Sequence, residues 1–153
     1  RKEPITITDP NMTRFIMSLN EAIDLVLYAF TDGQNGEILV QKSPACSVGT
    51  LAMAIKNTLD AKNAKSKIIG TRHGEKQYEV LLSREEMHIA NEFENYFRVP
   101  LDNRDLNYDS YFEIGDESVT SVQDFNSNNT DQLDVRAVEK ILNLDPNLKY
   151  LFS

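Results

Sequence analysis

Short apolar segments alternate with longer segments of helical spacing over the first seventy residues, and this alternation constrains the fold more than any other feature. Residues 5–8, 37–41 and 66–70 are short and rich in aliphatic, often β-branched side chains, as strands are. Residues 18–30 and 47–62 carry apolar side chains at helical spacing. The order strand, helix, strand, helix, strand predicts an α/β unit.

The first helical segment is apolar on almost every side. Ser18 and Glu21 have the spacing of a capping box, which favours a helix start at this point. From Ala22 to Phe30, Asp24 is the only charged residue. We therefore predict a helix that is buried on most of its circumference.

The second half of the chain follows a different pattern. A second capping box predicts a short helix over residues 83–90, and residues 93–99 have the composition of a strand. Residues 101–129 are polar without a sustained period, which predicts long ordered loops with short strands. Asp134 is the expected N-cap of a last helix over residues 135–142. The aromatic residues of this half are expected to form a second small core: Phe93, Tyr96, Phe97, Tyr108, Tyr111 and Phe112.

Charge and composition exclude several classes of protein. Residues 1–76 hold 10 Lys and Arg against 8 Asp and Glu, whereas residues 77–153 hold 6 against 16. The acidic second half argues against a nucleic-acid groove, because phosphate binding needs clustered basic residues. No apolar run approaches the roughly 20 residues of a membrane span. Without a secretion signal, and with a single cysteine, the chain is expected to be cytoplasmic.

The loop of residues 70–76 carries the first candidate binding residues. Gly70 and Gly74 allow a tight turn and a close approach of the backbone to a ligand. The planar guanidinium of Arg72 suits a phosphate, and the carboxylate of Glu75 can accept hydrogen bonds from ribose hydroxyls. The alternative is an ordinary surface loop with an Arg–Glu ion pair.

Arg14 is the second candidate, in the segment between the first predicted strand and the first predicted helix. It precedes Ser18 by four residues, so it is expected near a helix N-terminus, a place that favours anions. The alternative is an arginine that closes a turn by hydrogen bonding to backbone carbonyls.

Several segments in order along the chain resemble one family. Residues 5–15 look like the middle of the extended short-chain dehydrogenases/reductases that make bacterial capsule and O-antigen sugars, and residues 70–76 are similar to their later Arg-x-Gly-Glu motif. Four further segments resemble the family's C-terminal polysaccharide-biosynthesis extension: residues 82–87, 96–100, 105–108 and 126–130. The resemblance implies the C-terminal substrate-binding part of such an enzyme, with α/β residues 1–82 and an irregular α+β extension at 83–153.

The resemblance also implies a function and its residues. Arg14 and Arg72 would hold the diphosphate of a UDP-sugar and Glu75 its ribose, with Thr13 as a weaker candidate. The activity favoured is a UDP-N-acetylglucosamine 4,6-dehydratase of the 5-inverting kind, and the alternative is a UDP-glucose or UDP-N-acetylglucosamine 4-epimerase. A third possibility is a non-catalytic module for UDP-sugar binding or oligomerisation. The implied partners are a UDP-sugar, an N-terminal Rossmann half and further copies in a homo-oligomer.

Two family features are missing from this chain. The six glycines do not form Gly-x-x-Gly-x-x-Gly, and no tyrosine is followed four residues later by lysine. The resemblance therefore implies that NADP or NAD binds to the N-terminal half of the parent enzyme. We expect no catalytic or cofactor-binding residue in this chain, and no activity from it alone.

The remaining reactive side chains favour ordinary structural roles. Cys46 precedes a helix start, where the pKa of a thiol can be lowered, but without a neighbouring base a packing role is preferred. One cysteine and two histidines make no convincing zinc site. Four aspartates in the polar segment do not have the spacing of an EF-hand and are expected to be solvated, namely Asp102, Asp105, Asp109 and Asp116.

Overall fold

The computed structural model describes residues 4–61, 63–101 and 121–144, which form a mixed α/β fold, as predicted. The strands are β1 (Ile5–Ile7), β2 (Thr13–Phe15), β3 (Ile38–Gln41), β4 (Ala45–Ser47), β5 (Ser66–Ile68), β6 (Val80–Leu82), β7 (Asn91–Glu92), β8 (Tyr96–Val99) and β9 (Phe125–Asn126). The helices are α1 (Leu19–Asp32), α2 (Val48–Thr58), α3 (Arg84–Ile89) and α4 (Val135–Leu144). Contacts divide these elements into two compact units, each built from separate stretches of chain.

The first unit combines described residues within 1–18, 43–79 and 127–153. Strands β1 and β5 pair in parallel, strands β2 and β4 pair antiparallel, and α2 packs against α4. Side-chain oxygens cap both helices: Ser47 Oγ accepts from Thr50 N at 3.0 Å, and Asp134 Oδ1 accepts from Ala137 N at 2.8 Å. The core of the unit is a buried apolar cluster with its partly buried neighbours: Cys46, Ala54, Val138, Ile16, Leu51, Leu133, Val135 and Leu142.

The second unit combines described residues within 19–42 and 80–126. Strand β8 lies between β3 and β7 in an antiparallel sheet, and β6 pairs with β9. The predicted capping box opens α3, since Ser83 Oγ accepts from Glu86 N and Ser83 N donates to the Glu86 carboxylate. Phe97 is buried and packs against Phe125, with ring centroids 5.1 Å apart.

Helix α1 differs from the expectation of an almost fully buried helix. It packs against β3, but the structure buries none of its residues. Large apolar side chains at helical spacing remain 48–84% exposed: Leu19, Ile23, Val26, Leu27 and Phe30. The prediction was wrong because apolar residues around a helix show that it can be buried, but not that other parts of the chain pack against it. The described residues pack against only one side of α1.

Several other boundaries differ from the sequence prediction. Strands β2 and β4 were not predicted, because their sequences, Thr-Arg-Phe and Ala-Cys-Ser, lack the aliphatic, β-branched composition that marked β1 and β5. Helix α2 ends at Thr58, before Asp60 adopts a left-handed conformation with φ of 53°. The strand predicted over 93–99 is present as β8 but begins only at Tyr96, and it pairs with β7, which precedes the predicted range.

Some predictions concern residues outside the described ranges, and the predicted domain boundary is not tested by the structure. The aromatic residues Tyr108, Tyr111 and Phe112 lie outside the described residues, as does most of the predicted loop segment. The predicted domain boundary between residues 82 and 83 stays a prediction, because each of the two compact units contains residues from both sides of it. Within the described ranges, no helix has both the length and the apolar character that a membrane crossing requires.

Candidate functional site

Arg14 lies in strand β2 and not in a turn before a helix. Its strand pairs with β4, so that Arg14 is opposite Cys46 and Thr13 is opposite Ser47. The ladder with β4 holds these residues in extended backbone, and the expected position of Arg14 beside the N-terminus of the first helix stays a prediction. In an extended strand, alternate side chains point to opposite faces. Thr13 is buried, whereas Arg14 is only partly buried.

The guanidinium of Arg14 connects its own strand to the end of the 70–76 loop. Its Nη1 donates to Thr13 O at 2.7 Å, and its Nη2 donates to Lys76 O at 3.0 Å. Its Nε lies 3.6 Å from Glu79 Oε1. Hydrogen bonds to backbone carbonyls are those that the turn-closing alternative predicts. Nη2 also donates to Met12 Sδ at 3.5 Å, so that with the Glu79 contact four of the five guanidinium N–H groups have a partner and one N–H of Nη1 remains for a ligand.

The loop itself is held by backbone conformation and by Glu75. Gly70 and Gly74 have φ of 81° and 84°, and a Cβ at either position would meet nothing within 4 Å. The glycines are therefore needed for the left-handed backbone and not for space. Across Gly74, Glu75 N donates to Arg72 O at 3.1 Å, and Arg72 N donates to Glu75 Oε2 at 2.8 Å.

This geometry differs from the alternative of a surface Arg–Glu ion pair. The carboxylate of Glu75 binds the backbone of Arg72 and not its guanidinium. Among the described residues, the Arg72 side chain makes no ion pair, and the residue is exposed. One turn therefore presents an exposed guanidinium next to a carboxylate whose second oxygen is available as an acceptor.

Thr13 is placed to support the site more than to contact a ligand. Its backbone N donates to Gln77 O at 3.0 Å, which attaches β2 to the segment directly after the loop. Its side-chain oxygen lies 2.8 Å from Ser127 Oγ in a buried position. The prediction that Thr13 binds substrate stays a prediction, and its hydroxyl already has an internal partner.

Two residues of this network were not identified from the sequence. Glu79 approaches the Arg14 guanidinium, and nothing in its local sequence distinguishes it from a surface carboxylate. Ser127 is fully buried beneath Thr13 and lies within the 126–130 segment, which the family resemblance had already marked without assigning a role. A buried serine cannot be recognised from its neighbours alone, since its partners come from distant parts of the chain.

Cys46 has the packing role that the sequence favoured. It is buried in the core cluster with Ala54 and Val138. Burial raises the pKa of the Cys46 thiol above its ordinary value of 9.0, and this effect exceeds the lowering by a hydrogen bond from the backbone of Leu51. The suggestion of a lowered pKa at a helix start was therefore wrong. The thiol is neutral at physiological pH.

The residues present do not fit a dinucleotide cofactor. Such cofactors rest on a Gly-rich turn that leads from a strand directly into a helix N-terminus. Gly70 follows β5, but the next glycine is Gly74, and residues 69–79 form turns and not the start of a helix. No step of a reaction is therefore assigned to a cofactor held by these residues.

A metal site finds no support in the described part of the chain. No three His, Cys, Asp or Glu side chains within it are grouped closely enough to hold an ion. The four aspartates considered from the sequence lie outside the described residues, namely Asp102, Asp105, Asp109 and Asp116.

Comparison with known proteins gives consistent matches over almost the whole chain. Residues 1–101 match the family described as "Polysaccharide biosynthesis protein", and residues 102–146 match the family described as "Polysaccharide biosynthesis protein C-terminal". The chain is 50% identical over 146 residues to a protein of Rickettsia bellii named UDP-glucose 4-epimerase, which covers 95% of this chain and 42% of that protein. A protein of the same name from Rickettsia felis is 51% identical over 142 residues, or 92% of this chain and 41% of that protein.

Among solved structures, the chain resembles Pen from Bacillus thuringiensis. The TM-score is 0.72 at 25% sequence identity, over 92% of this chain and 40% of that chain. The chain thus spans about two fifths of the length of the relatives that it matches.

Proposed function

This chain belongs to the polysaccharide biosynthesis protein family, and from that premise we propose that it is the UDP-sugar-binding part of a nucleotide-sugar-modifying enzyme. The proposed enzyme is a UDP-sugar 4-epimerase that supplies surface polysaccharide synthesis. Both family matches support the place in polysaccharide synthesis, and the names of the Rickettsia relatives support the substrate class and the reaction.

One structural observation carries the proposal for binding. Arg14 and the 70–76 loop are the segments that the family resemblance singled out, and they are 62 positions apart at the contact between Arg14 Nη2 and Lys76 O. A second hydrogen bond, from Thr13 N to Gln77 O, joins the same two segments. Two guanidinium-bearing segments are thereby attached to each other within one compact unit.

The proposed roles follow from the donors and acceptors that remain. The exposed Arg72 guanidinium would bind the diphosphate by charge-assisted hydrogen bonds. Arg14 would contribute its positive charge and the one N–H of Nη1 that has no partner among the described residues. The second carboxylate oxygen of Glu75 would accept from a ribose hydroxyl, while the first keeps its hydrogen bond to Arg72 N.

The reaction proposed differs from the one that the sequence motifs favoured. The motif resemblance slightly favoured a 4,6-dehydratase, whereas relatives at 50% identity are named 4-epimerases, which favours the alternative. The base and the nicotinamide cofactor, NADP or NAD, would belong to the part of the enzyme outside this chain. Assembly into a homo-oligomer stays a prediction.

Titration calorimetry of the chain with UDP tests the binding proposal. We expect UDP to bind more tightly than UMP, because the second phosphate offers charge to Arg72 and Arg14, and more tightly than uridine. An affinity that is equal for UDP and uridine would remove the diphosphate assignment. With the complete enzyme, conversion of UDP-glucose into its C4 epimer supports the epimerase, and release of a product lighter by one water indicates the dehydratase instead.

A further inference from the structure

We propose that Ser127 is a positioning residue for UDP binding, which acts by fixing Arg14. This inference rests on the proposed function and adds a residue to it that does not contact the ligand. Ser127 is fully buried in the first unit and comes from the part of the chain that matches the C-terminal polysaccharide-biosynthesis family. The inference therefore assigns the C-terminal segment a role in the binding site.

The hydroxyl of Ser127 uses its full hydrogen-bonding capacity. It donates to Thr13 O at 3.0 Å, and it accepts from Glu79 N at 2.9 Å. Thr13 Oγ1 lies 2.8 Å away, and with the Ser127 proton already directed to Thr13 O, the Thr13 hydroxyl is the donor in this pair. A serine hydroxyl has one proton and two lone pairs, so that one donated and two accepted bonds satisfy it completely.

Two short paths lead from this hydroxyl to the Arg14 guanidinium. In the first, Thr13 O accepts from both Ser127 Oγ and Arg14 Nη1, so that one carbonyl joins the two side chains. In the second, Ser127 Oγ accepts a hydrogen bond from the backbone N of Glu79, and the carboxylate of Glu79 lies 3.6 Å from Arg14 Nε. A further bond, from Ser127 N to Glu79 O at 2.8 Å, strengthens the second path.

Loss of the hydroxyl should loosen both paths at once. Replacement by alanine preserves most of the volume, but leaves Glu79 N without this acceptor and Thr13 O with one donor fewer. Arg14 would then sample orientations that do not point its remaining N–H and its charge at a diphosphate, and UDP binding would have to restore the orientation. Binding should therefore weaken although no contact with UDP is removed.

The test compares Ser127→Ala with a matched buried serine. Ser43 is also buried, but its hydroxyl has no hydrogen-bond partner among the described residues, so that Ser43→Ala controls for loss of a buried serine hydroxyl. We expect the dissociation constant for UDP, measured by calorimetry on the 153-residue chain, to rise about three- to tenfold in Ser127→Ala. In Ser43→Ala it should stay within about twofold of the unchanged chain.

A double-mutant cycle separates positioning from a purely structural role. If Ser127 acts through Arg14, Ser127→Ala should weaken UDP binding by less than about twofold in the Arg14→Ala background. An equal loss in both backgrounds overturns the proposal, as does a Ser127→Ala chain that binds like Ser43→Ala. Should Ser127→Ala fail to fold by circular dichroism, Thr13→Val takes its place, because it removes one bond to the same hydroxyl and keeps the strand.

The design also distinguishes failure of the proposed function. An unchanged chain that folds and shows no preference for UDP over uridine refutes the UDP site itself, and the positioning role falls with it. Diphosphate-dependent binding that Arg14→Ala weakens and Ser127→Ala does not refutes only the role of Ser127.

Discussion

Truncation of Arg72 should weaken UDP binding without affecting the stability of the chain. In the structure, the loop turn is closed by Glu75 N to Arg72 O and by Arg72 N to Glu75 Oε2, and neither bond involves the Arg72 side chain. The side chain is exposed and makes no ion pair with the described residues. Arg72→Ala should therefore change the free energy of unfolding by less than about 0.5 kcal/mol.

The effect on affinity follows from the type of contact that is lost. A hydrogen bond to a charged group contributes about 1.5–3 kcal/mol. Solvent screens an exposed guanidinium, so that the lower end of this range applies, which is about a tenfold rise in the dissociation constant. Arg14→Ala should differ in kind, because it also removes two hydrogen bonds to backbone carbonyls and should cost about 1–3 kcal/mol of stability.

Calorimetry with UDP and urea denaturation together measure the two quantities. Arg136→Ala, at an exposed position on α4, removes the same charge and serves as the control. We expect Arg136→Ala to leave both quantities unchanged. The reasoning is refuted if Arg72→Ala binds UDP like the unchanged chain, or if Arg136→Ala weakens binding to the same extent, since the effect would then come from net charge.

Three further predictions concern conformation and packing. Gly74→Ala should destabilise the 70–76 loop by about 1–2 kcal/mol, because φ of 84° is strained for any residue with a Cβ, and should weaken UDP binding in calorimetry; an unchanged affinity would show that the turn is not needed. Phe30→Ser, at a side chain that is 84% exposed, should change the urea midpoint much less than Val138→Ala, which leaves a cavity in the core, and the reverse order would contradict the observed exposure of α1. Because Cys46 is buried, it should react with iodoacetamide far more slowly in the native chain than in urea. Its raised pKa should add stability that is present below pH 9.0 and is lost as the pH rises further, because the thiol of the unfolded chain ionises first. A Cys46→Ala chain whose stability has the same pH dependence would contradict this.

Local features of the sequence were sufficient where the physical cause is local. The capping box of α3 and the Asp134 cap of α4 were predicted correctly, because a cap requires only a polar side chain and a free N–H three residues away. The five elements predicted over residues 5–70 are all present for the same reason, although β2 and β4 interrupt their alternation. The burial of α1 was predicted incorrectly, because burial depends on what covers a helix, and the sequence of the helix does not contain its neighbours.

The residue types of the candidate site were likewise readable from the sequence, since a guanidinium, a carboxylate and two glycines in a short loop suggest anion binding whatever surrounds them. Only the tertiary structure decided how they are held. Strands β2 and β4 do not have the composition of strands, and their ladder forms because the folded chain pairs them. The bond between Thr13 and Ser127 joins residues 114 positions apart. Hydrogen bonds of that separation form because the folded chain brings their partners together, and no local pattern encodes them.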